Sequence, residues 1–241
     1  AGAAANGLRP VVAIYSTFIQ RAYDQIWDVA LQKLNVTFAL DRAGVVPEDG
    51  PTHQGIFDLA FMSIFPNIIV MAPSDGIELR NMLYTAVYTD LPASIRYPKG
   101  NVPQHKEECD KLQEIEIGKG ELLLDGHDGA IIAIGSMVEP SLKAAEILRQ
   151  KGYSVAVVNG RFRKPLDCEL VKSVGRNVPV VSVEEGILEG GFGWAVQVAL
   201  GKKIAMMGIP DEFPKLGTRN ELLEQYNLTP EGIAKTFLEN I

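Results

Sequence analysis

Cysteine and histidine are scarce in this sequence, with two cysteines and three histidines among 241 residues. Neither Cys109 nor Cys168 belongs to a CxxC motif or to a cysteine and histidine spacing typical of zinc sites. We therefore expect both cysteines to be reduced thiols, and we assign no metal ligand to this sequence.

Basic residues and long apolar runs are also lacking. The 23 lysines and arginines are outnumbered by 30 aspartates and glutamates, which gives a net charge of -7. A nucleic-acid partner would require clustered basic residues, and this balance argues against one. No apolar stretch approaches the roughly 18 to 20 residues of a membrane span, and residues 1–6 lack the basic and apolar regions of a signal peptide. We expect a cytoplasmic protein with no membrane partner.

The sequence does have the composition and patterning of an α/β protein. Apolar residues make up 46% of the chain, which is enough to bury a core. Short β-branched runs alternate with segments of helical periodicity in both halves, and this predicts two consecutive open α/β domains. Proline, glycine and then a charged stretch mark the boundary between them. We expect a first domain at 1–101, a linker at 102–118 and a second domain at 119–241.

One stretch of the first domain, residues 39–55, concentrates the polar chemistry. It follows the apolar run 36–40, which is typical of a buried parallel strand, and ligands bind at the carboxyl ends of such strands. The stretch carries Arg42, Asp49 and His53 among glycines, while Arg96 lies at the end of another predicted strand, 93–97. From spacing alone, a solvated loop and a ligand-binding loop remain equally open.

Sequence motifs along the whole chain resemble one enzyme family, the 1-deoxy-D-xylulose-5-phosphate synthases of the transketolase superfamily. They occur in the order and near the spacing of that family. The motifs are Ile14 to Gln25, Asp41-Arg-Ala-Gly44, Asp49-Gly-Pro-Thr-His-Gln-Gly55, Met71-Ala-Pro-Ser-Asp75, Ile95-Arg-Tyr-Pro-Lys-Gly100, Gly160 to Leu166 and Glu184 to Gly191.

The resemblance implies a transketolase-type pyrimidine-binding domain, truncated at its N-terminus, followed by a transketolase C-terminal domain. It implies a homodimeric transferase that uses thiamine diphosphate and Mg²⁺. The substrates would be pyruvate and glyceraldehyde 3-phosphate, which condense with loss of CO₂ to 1-deoxy-D-xylulose 5-phosphate, a precursor in isoprenoid and thiamine synthesis. The role of the C-terminal domain would be mainly dimerisation and orientation.

The resemblance also implies roles for individual side chains. Phe18 would stack on the aminopyrimidine ring of the cofactor, with Arg21 nearby. Arg42 and Arg96 would bind the substrate phosphate, for which a guanidinium group is suited because it binds oxygens in pairs and stays charged.

Proton handling in this family implies a further group of residues. A histidine side chain can donate or accept a proton, so His53 suits proton transfer at the acceptor aldehyde oxygen. Asp49 and Tyr15 would hydrogen-bond the substrate hydroxyls or His53.

The sequence departs from the family pattern in three ways. It begins after the glutamate that activates the cofactor, the segment 25–29 is one residue short, and no Gly-Asp-Gly motif with a following asparagine occurs. We therefore expect the diphosphate and Mg²⁺ ligands in an N-terminal portion of the same enzyme, without which this chain would be inactive. Two alternatives stay open: a β-type subunit of a two-subunit transketolase or 2-oxoacid dehydrogenase, and a non-catalytic assembly module.

Local patterns give further expectations about helix ends. Residues 18–31 have the periodicity of one helix. Asp75 with Glu78, and Ser136 with Glu139, have the spacing of capping boxes. The glycine-rich stretch 184–193 precedes an apolar helix, and its two glutamates favour a packing role over anion binding.

Overall fold

The computed structural model describes residues 1–101 and 111–241 and contains two five-stranded sheets. Cys109 and the expected linker residues 102–110 lie outside this description. In the first sheet four parallel strands are followed by one antiparallel strand at the edge. In spatial order these are β1 (Val11–Tyr15), β2 (Thr37–Asp41), β4 (Ala93–Arg96), β3 (Ile69–Met71) and β8 (Phe162–Lys164).

The second sheet has the same plan, with one antiparallel edge strand on a parallel sheet. Its spatial order is β10 (Ala205–Ile209), β9 (Val180–Ile187), β6 (Gly129–Ala133), β7 (Val155–Asn159) and β5 (Glu121–Leu124). The predicted α/β alternation is therefore confirmed in both halves.

Helices connect the strands. Those of the first half are α1 (Gly2–Ala5), α2 (Tyr23–Leu31), α3 (Asp58–Ser63) and α4 (Gly76–Tyr88). Those of the second half are α5 (Val138–Gln150), α6 (Cys168–Gly175), α7 (Phe192–Leu200), α8 (Arg219–Gln225) and α9 (Pro230–Leu238). Short 3-10 helices lie at Ser16–Ala22, Pro51–His53 and Gly135–Met137. Within the described ranges, no helix has both the length and the apolar character that a membrane crossing requires.

Buried apolar strands hold each sheet in place. Leu40 on β2 and Ile95 on β4 are inaccessible to solvent, as are Ile131 and Val157 in the second sheet. Each such side chain stabilises the fold by about 1.5 to 3 kcal/mol relative to an exposed position. The central strands are therefore fixed, and the loops at their carboxyl ends start from fixed points.

The two halves are joined by more than a linker. Strand β8 belongs to the second half of the chain but pairs with β3 of the first sheet. The Nζ atom of Lys164 on β8 also donates to the carbonyls of Ser63 and Phe65, at 3.1 and 2.6 Å. These contacts fix the orientation of the second sheet against the first.

The predicted helix over 18–31 is partly wrong, because its first turns form the 3-10 helix Ser16–Ala22. Two side chains tie this segment to the polar loop: Ser16 Oγ donates to the Gly55 carbonyl at 3.3 Å and Thr17 Oγ1 to the Thr52 carbonyl at 2.9 Å. Tertiary contacts here replace the regular helix that periodicity indicates.

The Asp75 and Glu78 capping box is half right. Asp75 caps α4 by accepting from the Glu78 N–H at 2.8 Å. The Glu78 carboxylate accepts instead from the Ser74 N–H, and it also binds Asn159 and Arg161 of the second half. Glu78 therefore joins the two halves.

The Ser136 and Glu139 capping box does not form. The Ser136 hydroxyl donates to the buried carboxylate of Glu185 at 2.6 Å, and Glu139 pairs with Lys143 at 2.7 Å. A buried carboxylate gains more from a donor than an exposed helix end gains from a cap.

The glycine-rich stretch before α7 has the packing role expected of it. Glu184 is buried, and its two carboxylate oxygens accept from the N–H groups of Phe192 and Gly193, both at 2.8 Å. Burial raises the pKa of Glu184 to about 7, against the effect of these two donors. The N-terminus of α7 is thus filled by a carboxylate of the protein itself.

Candidate active site

Three strands of the first sheet end side by side, and the predicted site residues lie at these ends. Tyr15, the last residue of β1, is level with Asp41 of β2, and Leu40 of β2 is level with Arg96 of β4. Because the strands are parallel, their carboxyl ends form one edge, where α/β proteins bind ligands.

Aromatic rings pack against one another at this edge of the sheet. The Tyr15 and Phe18 rings are stacked, with centroids 5.5 Å apart and planes inclined by 13°. His53 meets the edge of Phe18 at 5.6 Å, and the Arg21 guanidinium lies 6.0 Å from the centroid of the same ring. The predicted cofactor-binding pair and two predicted catalytic residues are therefore in contact.

Arg42 contacts the same cluster through the Tyr15 ring. Its guanidinium carbon lies 4.2 Å from the Tyr15 ring centroid, which is a cation–π distance. Its Nη1 atom pairs with Asp49 Oδ2 at 2.7 Å, and the two side chains are 25% and 32% exposed. The structure therefore brings together every predicted site residue except Arg96.

Polar groups within the loop between β2 and α3 hold part of its shape. Gly44 and Gly55 exchange two backbone hydrogen bonds, of 2.7 and 2.9 Å. The buried amide of Gln54 accepts from the Val46 N–H at 2.8 Å and donates to the Val46 carbonyl at 3.0 Å. His53, at the end of a 3-10 turn, is thereby fixed beside the start of the loop.

Arg96 lies apart from the exposed cluster and is only 5% exposed. Its Nε atom pairs with Asp58 Oδ2 at 3.0 Å, and Nη2 donates to the carbonyls of Gly55 and Glu185 at 3.3 and 3.0 Å. Arg96 therefore ties the end of the loop and the start of α3 to the second half of the chain. The sequence analysis missed Asp58, the first residue of α3, because Arg96 becomes its neighbour only in the folded chain.

A cavity of about 660 Å³ opens beside the cluster. Of the predicted residues, Phe18, Arg21 and His53 line it. Phe213 of the second half also lines it and meets Phe57 edge to face at 5.8 Å. No sequence signal indicated Phe213, because its contact joins segments far apart in the chain.

The residues present fit one part of a thiamine-type cofactor. A half-buried phenylalanine facing a cavity can stack on a pyrimidine ring. For a metal there is no comparable fit: among residues 1–101 and 111–241, no group of three or more histidine, cysteine, aspartate or glutamate side chains could hold an ion.

Comparison with known proteins identifies two domains in the chain. Residues 1–104 match the transketolase pyrimidine-binding domain, and residues 118–233 match the transketolase C-terminal domain. The chain is 49% identical to 1-deoxy-D-xylulose-5-phosphate synthase 1 of Geobacter metallireducens, covering 99% of this chain and 40% of that protein. It is 51% identical to the synthase of Symbiobacterium thermophilum, covering 98% of this chain and 37% of that protein. The chain thus spans about two fifths of the length of these relatives.

Solved structures agree in fold over almost the whole chain. A split-gene transketolase, as an inactive β4 tetramer, is 31% identical with a TM-score of 0.88, covering 99% of this chain and 78% of that one. A transketolase of Pichia stipitis is 26% identical with a TM-score of 0.79, covering 96% of this chain and 34% of that one. The chain therefore belongs to the transketolase family, with a pyrimidine-binding domain followed by a C-terminal domain, and it is similar over nearly its whole length to the 1-deoxy-D-xylulose-5-phosphate synthases.

Proposed function

We propose that this chain supplies the pyrimidine and acceptor side of a 1-deoxy-D-xylulose-5-phosphate synthase. The observation that carries the proposal is the contact cluster of Tyr15, Phe18, Arg42, Asp49 and His53 in a chain about half identical to named synthases. The reaction condenses pyruvate and glyceraldehyde 3-phosphate with loss of CO₂.

Phe18 and Arg21 serve the cofactor in this proposal. Bound thiamine diphosphate would supply the electron sink for decarboxylation and carbon transfer. The Phe18 ring, half-buried at the cavity, would stack on the aminopyrimidine, and the Arg21 guanidinium lies over the Phe18 ring. The ligands of Mg²⁺ and of the diphosphate would come from an N-terminal portion of the enzyme.

Arg42 and Arg96 are the proposed phosphate ligands, in different surroundings. Arg42 is partly exposed and exchanges its contact with Asp49 for the phosphate, which offers a guanidinium two oxygens. Arg96 is buried and paired with Asp58, and its Nη2 donates to two backbone carbonyls, so a contact between Arg96 and the phosphate requires its side chain to give up one of these partners.

His53 and Asp49 complete the acceptor side. His53 transfers a proton at the aldehyde oxygen as the new carbon–carbon bond forms. Once Arg42 engages the phosphate, Asp49 is available to accept hydrogen bonds from the substrate hydroxyls, as is the hydroxyl of Tyr15. We further propose a cytoplasmic homodimer.

A second candidate function is a β-type subunit of a two-subunit transketolase. The observation that favours it is the split-gene transketolase, of which this chain covers 78% with a TM-score of 0.88. The two candidates differ in substrate, because a transketolase takes its two-carbon unit from a ketose phosphate and the synthase takes it from pyruvate. A non-catalytic assembly module would turn over neither.

The test combines this chain with the N-terminal portion of the Geobacter metallireducens synthase. Calorimetry with thiamine diphosphate and Mg²⁺, and product formation from pyruvate or from a ketose phosphate, are measured for each part and for the mixture. We expect binding and pyruvate turnover in the mixture alone. Turnover of a ketose phosphate would favour the second candidate, and no turnover of either would contradict both.

A pair of histidine variants assigns the activity to the cluster. His53→Asn removes the proposed proton-transfer group, whereas His127→Asn changes an exposed histidine in a turn of the second domain. A general acid or base contributes about 10² to 10⁴ in rate, so His53→Asn should lower kcat by that factor. Equal activity in the two variants would remove His53 from the mechanism.

A further inference from the structure

The loop that carries Arg42, Asp49 and His53 rests on a buried carboxylate of the second domain. Glu185, near the end of β9, is 1% exposed. Its Oε1 atom accepts from the Val45 N–H at 2.8 Å, across a separation of 140 residues. The loop is therefore bound directly by the C-terminal domain.

The contact is close as well as polar. A Cβ atom at Gly44 would lie 2.3 Å from Glu185 Oε1, and Gly44 has a φ of +81°. Only glycine both tolerates this backbone conformation and lets the carboxylate approach so closely. The loop conformation and the position of Glu185 thus determine each other.

Arg219, the first residue of α8, holds that carboxylate in place. Its Nη1 and Nη2 atoms donate to Oε1 and Oε2 of Glu185, at 2.6 and 2.5 Å, and Nη1 also donates to the Val45 carbonyl at 3.3 Å. Ser136 donates to the same carboxylate. Burial opposes the charge of Arg219, yet the adjacent Glu185 carboxylate raises the pKa of Arg219 overall, so the guanidinium stays charged.

We propose that Glu185 and Arg219 are positioning residues for the acceptor-binding loop. They fix Gly44 and Val45, and through them they hold Arg42 over Tyr15 and against Asp49. The C-terminal domain then contributes to substrate binding as well as to domain packing. This inference rests on the proposed function for the part that concerns substrate.

A second ion pair between the two halves provides the matched control. Arg161 pairs with Glu78 at 2.6 Å, with side chains 23% and 7% exposed, against 24% and 1% for Arg219 and Glu185. The other side chains bound to this pair, Ser74, Asn159 and Glu121, all lie outside the loop. A general weakening of domain packing would follow from loss of either pair, whereas only the pair of Glu185 and Arg219 contacts the loop.

The experiment compares Arg219→Gln with Arg161→Gln by hydrogen exchange over residues 42–55 of the full chain. The Val45 amide loses a fixed acceptor only in Arg219→Gln, so we expect its exchange to rise roughly tenfold or more there. Arg161→Gln should leave the loop as in the original protein. Equal loop exchange in the two variants would overturn the proposal.

Kinetics in the mixture with the N-terminal portion give the second readout. Arg219→Gln should raise the KM for glyceraldehyde 3-phosphate about tenfold and leave the KM for pyruvate nearly unchanged, which a loss of packing alone would not do. Arg219→Lys keeps the charge but lacks the two-pronged geometry, and we expect it to restore part of the affinity. An equal rise for both substrates would overturn the positioning role.

Two features keep the outcome decisive. Hydrogen exchange needs no activity, so a mixture that makes no product refutes the proposed function without deciding the positioning role. If Arg219→Gln fails to fold, Ser136→Ala removes a single bond to Glu185, and we expect a smaller rise in loop exchange. Unchanged exchange in a folded Ser136→Ala and in Arg219→Lys would overturn the proposal.

Discussion

A methyl group added at Gly44 measures how firmly the second domain holds the loop, and Gly50 provides its control. Both glycines lie in the same loop with positive φ, +81° and +77°. A Cβ at Gly44 would lie 2.3 Å from Glu185 Oε1, whereas a Cβ at Gly50 would meet no described atom within 4 Å. Gly44→Ala and Gly50→Ala therefore both place a Cβ on a backbone of positive φ, and only the first creates a collision.

The two costs can be worked out separately. An alanine at positive φ costs about 1 to 3 kcal/mol, partly offset by the lower entropy of the unfolded chain; Gly50 also has a ψ of -178°, a region that glycine alone ordinarily adopts, so Gly50→Ala should cost about 2 kcal/mol. Gly44→Ala also displaces the Glu185 carboxylate from the Val45 N–H and from Arg219. Disturbing a buried ion pair costs about 3 to 5 kcal/mol, which gives a total near 4 to 6 kcal/mol.

Thermal unfolding of the two variants is the assay. At about 2 to 4 °C per kcal/mol for a chain of this size, Gly50→Ala should lower Tm by about 6 °C and Gly44→Ala by about 15 °C. Glu185→Ala loses the same contacts by itself, so adding Gly44→Ala to it should lower Tm no further than Gly50→Ala does alone, because the colliding carboxylate is gone. Equal Tm values for Gly44→Ala and Gly50→Ala would refute the close contact.

Two further predictions concern charge. Burial raises the pKa of Glu184 to about 7 from an ordinary 4.5, so the native state binds more protons than the unfolded state between these values. The free energy of unfolding should therefore fall by about 3 kcal/mol as pH rises from about 4.5 to 7, and Glu184→Gln should remove that slope in pH-dependent denaturation. In the mixture with the N-terminal portion, Arg42→Gln should raise the KM for the phosphorylated aldehyde by a factor about ten or more larger than any rise in the KM for pyruvate. The control is Lys143→Gln, which removes an exposed ion pair on α5.

The alternation of strands and helices within each domain was largely predictable, since buried β-branched runs and intervening helical periodicity are local signals. Strand β5 was missed because its residues, Glu121–Leu124, are exposed at a sheet edge and show no alternation of polar and apolar side chains. The pairing of β8 with β3 was also missed. A strand of three residues carries no local mark of its partner, which here belongs to the other sheet.

The failed capping motifs have a common physical cause. Ser136 and Glu78 each stand at the correct spacing for a cap, but each is also within reach of a charged group from a distant segment. Ser136 bonds Glu185, 49 residues away, and Glu78 bonds Arg161, 83 residues away. A partly buried ion or charged hydrogen bond outweighs the ~1 kcal/mol of a helix cap.

In the candidate site too, local features were predicted and contacts between distant segments were not. The residues on the loop and on the first turn after β1 were predicted, since strand ends and the family motifs are read from adjacent positions. The buried environment of Arg96 was not, because Asp58 and the Glu185 carbonyl become its neighbours only when both domains have folded.

Backbone conformation explains why this loop needs the second domain. Arg42 and Glu48 have φ of 53° and 69°, a region that costs a non-glycine residue about 1 to 2 kcal/mol, and Gly44 and Gly50 are also left-handed. Bonds inside the loop offset part of this cost, but the Glu48 N–H binds the Gly217 carbonyl and the Val45 N–H binds Glu185. A loop with this much strain holds one shape only while those outside acceptors are in place. The geometry that brings Arg42 to Tyr15 and Asp49 is therefore a property of both domains together.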